Sequence, residues 1–98
     1  MYEGNKCIIR CDRAGVFYAE VEDFDPASCV AKLRNARRLW YWAGAASLSQ
    51  LAIDGVELPL ECKFTLTVSA MTVTGVIEII PCTAKAVASI DGVPVWKR

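Results

Sequence analysis

The strongest constraint on this chain is a two-residue alternation of apolar and polar side chains that recurs along much of its length. Between Val16 and Glu22, Phe17, Ala19 and Val21 fall on one side and Tyr18, Glu20 and Glu22 on the other. Cys29, Ala31 and Leu33 alternate with Val30, Lys32 and Arg34, and Phe64, Leu66 and Val68 alternate with Thr65, Thr67 and Ser69. Successive side chains of a strand point to opposite faces, so this period marks half-buried β-strands. Cys7-Ile8-Ile9 starts another strand, joined to the Val16 strand by the turn residues Asp12-Arg13-Ala14-Gly15, and Phe24-Asp25-Pro26-Ala27-Ser28 supplies the next turn. A turn or bulge near Asn35 precedes a further β-prone run at Leu39-Trp40-Tyr41-Trp42. Val73 to Ile80, apolar on both parities apart from Thr74, Gly75 and Glu78, reads as a central strand covered on two faces.

The period changes twice. Leu48, Leu51 and Ala52 recur at helical spacing, Ser47 and Gln50 form an S-x-x-Q capping box, and Gly55 stands where a glycine ends a helix. Thr83 can cap a second helix that Asp91-Gly92 would close. Two short helices are therefore expected near Ala45–Asp54 and Thr83–Ile90, with a lead-in over Met1 to Asn5 and a tail from Val93 to Arg98 that holds Trp96. The fold class is α+β, mainly β: a small antiparallel sheet or partly open barrel of about six strands with two short helices. A chain of 98 residues makes this a single domain spanning residues 1–98.

Composition narrows the function. Eleven basic and eleven acidic residues cancel, so the charge excess of a duplex nucleic-acid binder is missing. The chain has no histidine, and none of its five cysteines is spaced as C-x-x-C, which argues against zinc and against His-dependent catalysis. Neither an enzymatic role nor a cofactor is expected. Cys7, Cys29 and Cys82 lie among apolar neighbours as small buried hydrophobes. All five thiols are expected to be free, and with no secretory pattern at the start the expected setting is intracellular. No apolar run approaches the roughly 18–20 residues that span a bilayer, so no membrane partner is expected. The 54% apolar content exceeds what one small core needs, and the excess predicts a homo-oligomer. Glu20, Glu22, Asp23 and Asp25 sit on a strand's polar face and beside a turn, as a solvated charge cluster.

Asn35 to Gln50 stands apart. Arg37 and Arg38 are adjacent guanidinium forks suited to phosphate or carboxylate, and Trp40, Tyr41 and Trp42 offer faces for a flat heterocycle. Small residues Ala43 to Ala46 follow, then the capped helix start at Ser47 and Gln50. Asn35, Arg37, Arg38, Trp40, Tyr41, Trp42, Ser47 and Gln50 are the candidate ligand contacts. Strand alternation opposes this in part. It places Arg38, Trp40 and Trp42 on one face and Arg37, Leu39 and Tyr41 on the other, and one of those faces must be core. The glycine pattern is neither a dinucleotide fingerprint nor a P-loop.

Asn35-Ala36-Arg37-Arg38-Leu39-Trp40-Tyr41-Trp42 leading into Gly44-Ala45-Ala46-Ser47-Leu48-Ser49-Gln50-Leu51-Ala52, with Lys6-Cys7-Ile8-Ile9-Arg10 before it and Val93-Pro94-Val95-Trp96 after it, resembles a family of small phage and prophage proteins of unknown function. The resemblance covers nearly the whole chain and implies an accessory protein in the cytoplasm of an infected bacterial host. By analogy with phage proteins that counter host defences, the expected function is to bind and sequester a nucleotide-derived immune signal without cleaving it. A cyclic dinucleotide or an ADP-ribose derivative would fit. The rival expectations are a protein–protein inhibitor of a host defence enzyme, a small phosphodiesterase-like enzyme and a structural phage protein.

Overall fold

The computed structural model describes residues 5–96; the first four residues of the expected lead-in and the last two of the tail lie outside it. Its elements run β1 (Lys6–Cys11), β2 (Gly15–Asp25), β3 (Val30–Tyr41), α1 (Leu48–Asp54), a 3-10 turn (Pro59–Glu61), β4 (Lys63–Val73), β5 (Val76–Pro81) and α2 (Ala84–Asp91). The five strands form one antiparallel sheet in the order β4-β3-β2-β1-β5. The expected α+β, mainly antiparallel class is therefore the observed one, with the sheet left open.

That strand order forces a curl. β4 and β5 are the two edges of the sheet, yet only Thr74 and Gly75 separate them in sequence. Four inter-strand steps would hold the edges of a flat sheet about 19 Å apart. The three peptide units from Val73 to Val76 reach at most about 11 Å. The sheet must bend until its edges approach at this end. Backbone bonds fix the approach: Val76 N–H donates to the Cys29 carbonyl at 3.0 Å and Asp12 N–H to that of Gly75 at 2.8 Å. Gly75, at φ +69°, makes the turn in a left-handed conformation that costs a residue with a side chain free energy.

The curl gives the sheet two cores. Cys7, Ile9, Phe17, Ala19, Leu33, Val73 and Val76 pack together with no helix residue among them, which places this cluster inside the bend. On the opposite face Ile8, Tyr18, Leu39 and Phe64 meet Leu51 and Ala52 of α1 and Ala86 and Ile90 of α2. The strand covered on both faces is thus β1, where Cys7, Ile8 and Ile9 are all fully buried. This corrects the expectation for Val73 to Ile80. That run is broken by the Thr74-Gly75 turn, and its second half is the edge strand β5, with Ile77 exposed.

A second correction concerns the strand count. The expected third and fourth strands are one 12-residue strand, β3, because the feature at Asn35 is a bulge and not a turn. Asn35 takes φ +50° and its side-chain amide donates to Glu20 at 2.7 Å. A short polar side chain tolerates this backbone better than an apolar one.

Both helices lie where their caps place them. Ser47 Oγ accepts from Gln50 N–H at 3.1 Å, and Gln50 Oε1 accepts from Ala46 N–H at 2.8 Å. Thr83 Oγ1 caps α2 by accepting from Ala86 N–H at 3.1 Å. The two helices are tied together by Thr83 N–H to the Ala52 carbonyl at 3.0 Å and by Val56 N–H to Ser89 Oγ at 3.0 Å.

Candidate functional site

The two adjacent arginines part company. Arg37 turns to the helical side, where it is 5% exposed and stacks over Phe64 at 5.4 Å from the ring centre. Its Nε donates to the Thr65 carbonyl at 2.7 Å, Nη1 to that of Ile90 at 3.0 Å, and Nη2 to that of Val93 at 2.7 Å, with a longer contact to that of Phe64 at 3.5 Å. The guanidinium joins β4, the last turn of α2 and the tail. It places positive charge at the helix end where the peptide dipoles are negative. Burial pushes its pKa down while the Asp91 carboxylate pulls it up. Asp91 also accepts from the buried Tyr18 hydroxyl at 2.9 Å. Arg37 was expected to be an accessible phosphate contact; the side chain is instead enclosed, with donors on all three nitrogens facing backbone oxygens.

Arg38 turns to the inner side of the curl. It lies over Phe17 at 4.7 Å, and its Nη1 donates to the Ala14 carbonyl at 2.7 Å. This residue is exposed, so part of its guanidinium can meet a ligand. Asn35 is exposed beside Glu20, away from the helix start. Ser47 Oγ caps the first turn of α1 and Gln50 Oε1 reaches back to Ala46 N–H just before the cap, so both oxygens are used without any ligand.

The aromatic run divides as well. Two register shifts in the β3–β4 pairing, on either side of Leu39, break the simple alternation, so that Leu39 is buried while its neighbours Trp40 and Tyr41 are 63% and 51% exposed. Trp42, just past the strand, is half-buried against the helical core. Next to it Gly44, at φ +87°, approaches the backbone of Glu57 so closely that a Cβ would lie 2.5 Å from that residue's nitrogen. The small-residue run therefore serves chain packing.

Trp40 has partners that its neighbours in sequence do not disclose. The tail lies beside β4, where Val95 bridges to Phe64 in parallel and Trp96 N–H donates to the Phe64 carbonyl at 2.8 Å. This brings Trp96 onto Trp40, with ring centres 5.6 Å apart and planes 15° from parallel. Lys63, at the start of β4, holds its ammonium 5.5 Å from both ring centres. The result is a stacked pair with a cation beside it, in which Trp40 keeps 63% of its surface exposed. Lys63 and Trp96 were not among the candidates read from the sequence. The only available sign of them was that both are polar-tipped or aromatic residues flanking apolar runs, which is too common to single them out.

Among the described residues no three His, Cys, Asp or Glu side chains gather as a metal site. Cys7, Cys11 and Cys62 are buried, whereas Cys29 and Cys82, expected to be buried among apolar neighbours, are only partly so. Burial pushes the Cys7 and Cys11 thiols up, and that of Cys82 up to about 12, the reverse of what a nucleophile needs. No helix among the described residues is long and apolar enough to cross a membrane.

A family model described as a domain of unknown function (DUF6948) matches residues 4–90, and the chain belongs to that family. No curated protein and no solved structure matches it significantly.

Proposed function

We propose that this member of the family is a non-catalytic phage accessory protein that captures a nucleotide-derived anion, with the base stacked on Trp40 and phosphate beside Lys63. One observation carries the reading. A tryptophan that is stacked on Trp96 yet 63% exposed, with a lysine ammonium 5.5 Å from its ring centre, offers a flat anion both an aromatic surface and a cation. Stacking of a base on such a face contributes about 1–3 kcal/mol. Preorganisation by Trp96 lowers the ordering cost that an isolated exposed tryptophan would incur.

In this reading the ligand is a host immune signal, a cyclic dinucleotide or an ADP-ribose derivative, held without cleavage in the cytoplasm of an infected bacterium. The resemblance of the Asn35–Ala52 motif to small phage proteins supports the setting. The test is calorimetry with a panel of both ligand classes beside thermal melts. Trp40→Ala and Lys63→Ala are expected to weaken binding about tenfold each while the fold persists. A panel that binds nothing to the wild-type protein defeats the reading.

A second reading has an observation of its own. Leu58 and Leu60 flank Pro59 in the 3-10 turn and are 47% and 85% exposed, and a recess of about 260 Å³ lies against Glu57 to Glu61. Exposed leucines on a stiff turn suit a protein partner, as an inhibitor of a host defence enzyme would have. Leu60→Glu separates the two: it abolishes inhibition of such an enzyme and leaves nucleotide binding untouched.

A further inference from the structure

The turn after α1 carries an exposed apolar recess with an acidic border, and we infer that it docks a basic segment of a partner protein through apolar anchors. The inference rests on the protein-partner reading above and names the chemistry of that partner. Leu58 and Leu60 stand out on either side of Pro59, and the recess of about 260 Å³ is lined by these three residues together with Glu57 and Glu61. That volume falls below the roughly 300 Å³ at which pockets begin to enclose a small molecule. It suits one or two side chains of a protein segment, the kind of anchor on which such interfaces depend.

The leucines are held out by a fixed backbone. Gly44 packs against the backbone nitrogens of Glu57 and Leu58, and Ser89 Oγ accepts from Val56 N–H at 3.0 Å and donates to the Val56 carbonyl at 3.2 Å. Within the turn, Glu61 N–H donates to the Leu58 carbonyl at 3.0 Å and Cys62 N–H to that of Pro59 at 3.3 Å. A surface ordered in advance binds at a smaller entropic cost. Charge then selects the partner. From Ile53 to Cys62 the chain has the acidic residues Asp54, Glu57 and Glu61, all exposed, and no basic one. Asp54 meets Lys85 at 3.4 Å, whereas Glu57 and Glu61 border the recess itself. An acidic segment, or a second copy presenting the same turn, would bring carboxylate against carboxylate; arginine or lysine beside the anchor meets opposite charge. The same sign opposes a nucleotide, which separates this surface from Trp40 and Lys63.

Fluorescence anisotropy with short labelled peptides tests this, using alternating arginine–leucine, glutamate–leucine and arginine–serine sequences. The arginine–leucine peptide is expected to bind at least about tenfold more tightly than the other two, and less tightly as salt is raised. Leu60→Ser and the double variant Glu57→Gln, Glu61→Gln should each weaken it about tenfold with melting temperatures unchanged, while Trp40→Ala leaves it as it was. A glutamate–leucine peptide that binds as well overturns the basic partner and leaves an apolar docking surface in place. An arginine–serine peptide that binds as well, or loss of binding in Trp40→Ala, overturns the recess as the site. Failure of all three peptides overturns the docking surface, as does an oligomer in light scattering that Leu60→Ser dissociates, since the occupant is then a second copy.

Discussion

Replacing Arg37 by alanine removes a buried guanidinium that donates to the carbonyls of Thr65, Ile90 and Val93 at 2.7–3.0 Å, of which that of Ile90 keeps the Val93 N–H at 3.1 Å. A hydrogen bond to a charged group contributes about 1.5–3 kcal/mol, so three treated independently give roughly 4.5–9 kcal/mol. That sum is too large. The bonds share one side chain, and water can reach some of the vacated carbonyls. Losses on breaking a buried charged network run about 3–5 kcal/mol, and we take that range. A domain of this size has about 5–15 kcal/mol of stability in all, so the variant should lose a large share of it and unfold at a clearly lower urea concentration. The assay is urea unfolding followed by circular dichroism. Arg37→Lys should recover a part only, because an ammonium cannot reach three diverging carbonyls. Arg38→Ala is the internal control. It loses one exposed bond and a stacking contact on Phe17, and should cost about 1 kcal/mol or less. An Arg37→Ala protein within about 1 kcal/mol of wild type refutes the reasoning.

Four further outcomes follow from the same geometry. Gly44→Ala, which would press a Cβ to 2.5 Å from the Glu57 nitrogen at φ +87°, should destabilise by about 2 kcal/mol or more in thermal melts, with left-handed strain alone accounting for about 1–2 kcal/mol. Trp96→Ala should cost about 0.5–1.5 kcal/mol, the range for an aromatic pair, and weaken ligand stacking on Trp40 in calorimetry. Burial and the bond to Asp91 raise the Tyr18 pKa above its unfolded value of about 10, and burial raises that of the Cys82 thiol to about 12. Their contribution to stability is therefore complete at neutral pH and lost as pH rises past the unfolded values; melting temperatures should fall above about pH 9, and less steeply in Cys82→Ala. Alkylation in denaturant should add five groups, while the native protein at pH 8 should react slowly at Cys7, Cys11 and Cys82.

The sheet and helices were legible because their signals are local. Alternation within seven residues located β2, and a serine, a glutamine and a glycine bounded α1 closely. What sequence could not disclose depends on strands from distant parts of the chain. The apolar run after Val73 resembles a central strand, but the curl uses Val76 and Ile79 on its inner side and Ile80 on the helical side of an edge. Arg37 looked like a ligand contact because its acceptors lie 28, 53 and 56 residues away, on elements whose placement no local pattern fixes. The Trp40–Trp96 stack was hidden for the same reason, since it exists only because β4 separates β3 from the tail by one strand.

The central claim is that Trp40, and not Trp42, is the stacking face. Nitrogen-15 nuclear magnetic resonance resolves one indole N–H signal for each of the three tryptophans. Titration with cyclic di-AMP and ADP-ribose tests the claim directly. The account predicts that at least one of these ligands shifts the Trp40 signal most and the Trp96 signal next, that Trp42 stays in place, and that Lys63→Ala reduces the response. Indole signals that stay fixed with both ligands, or a response led by Trp42, would contradict it.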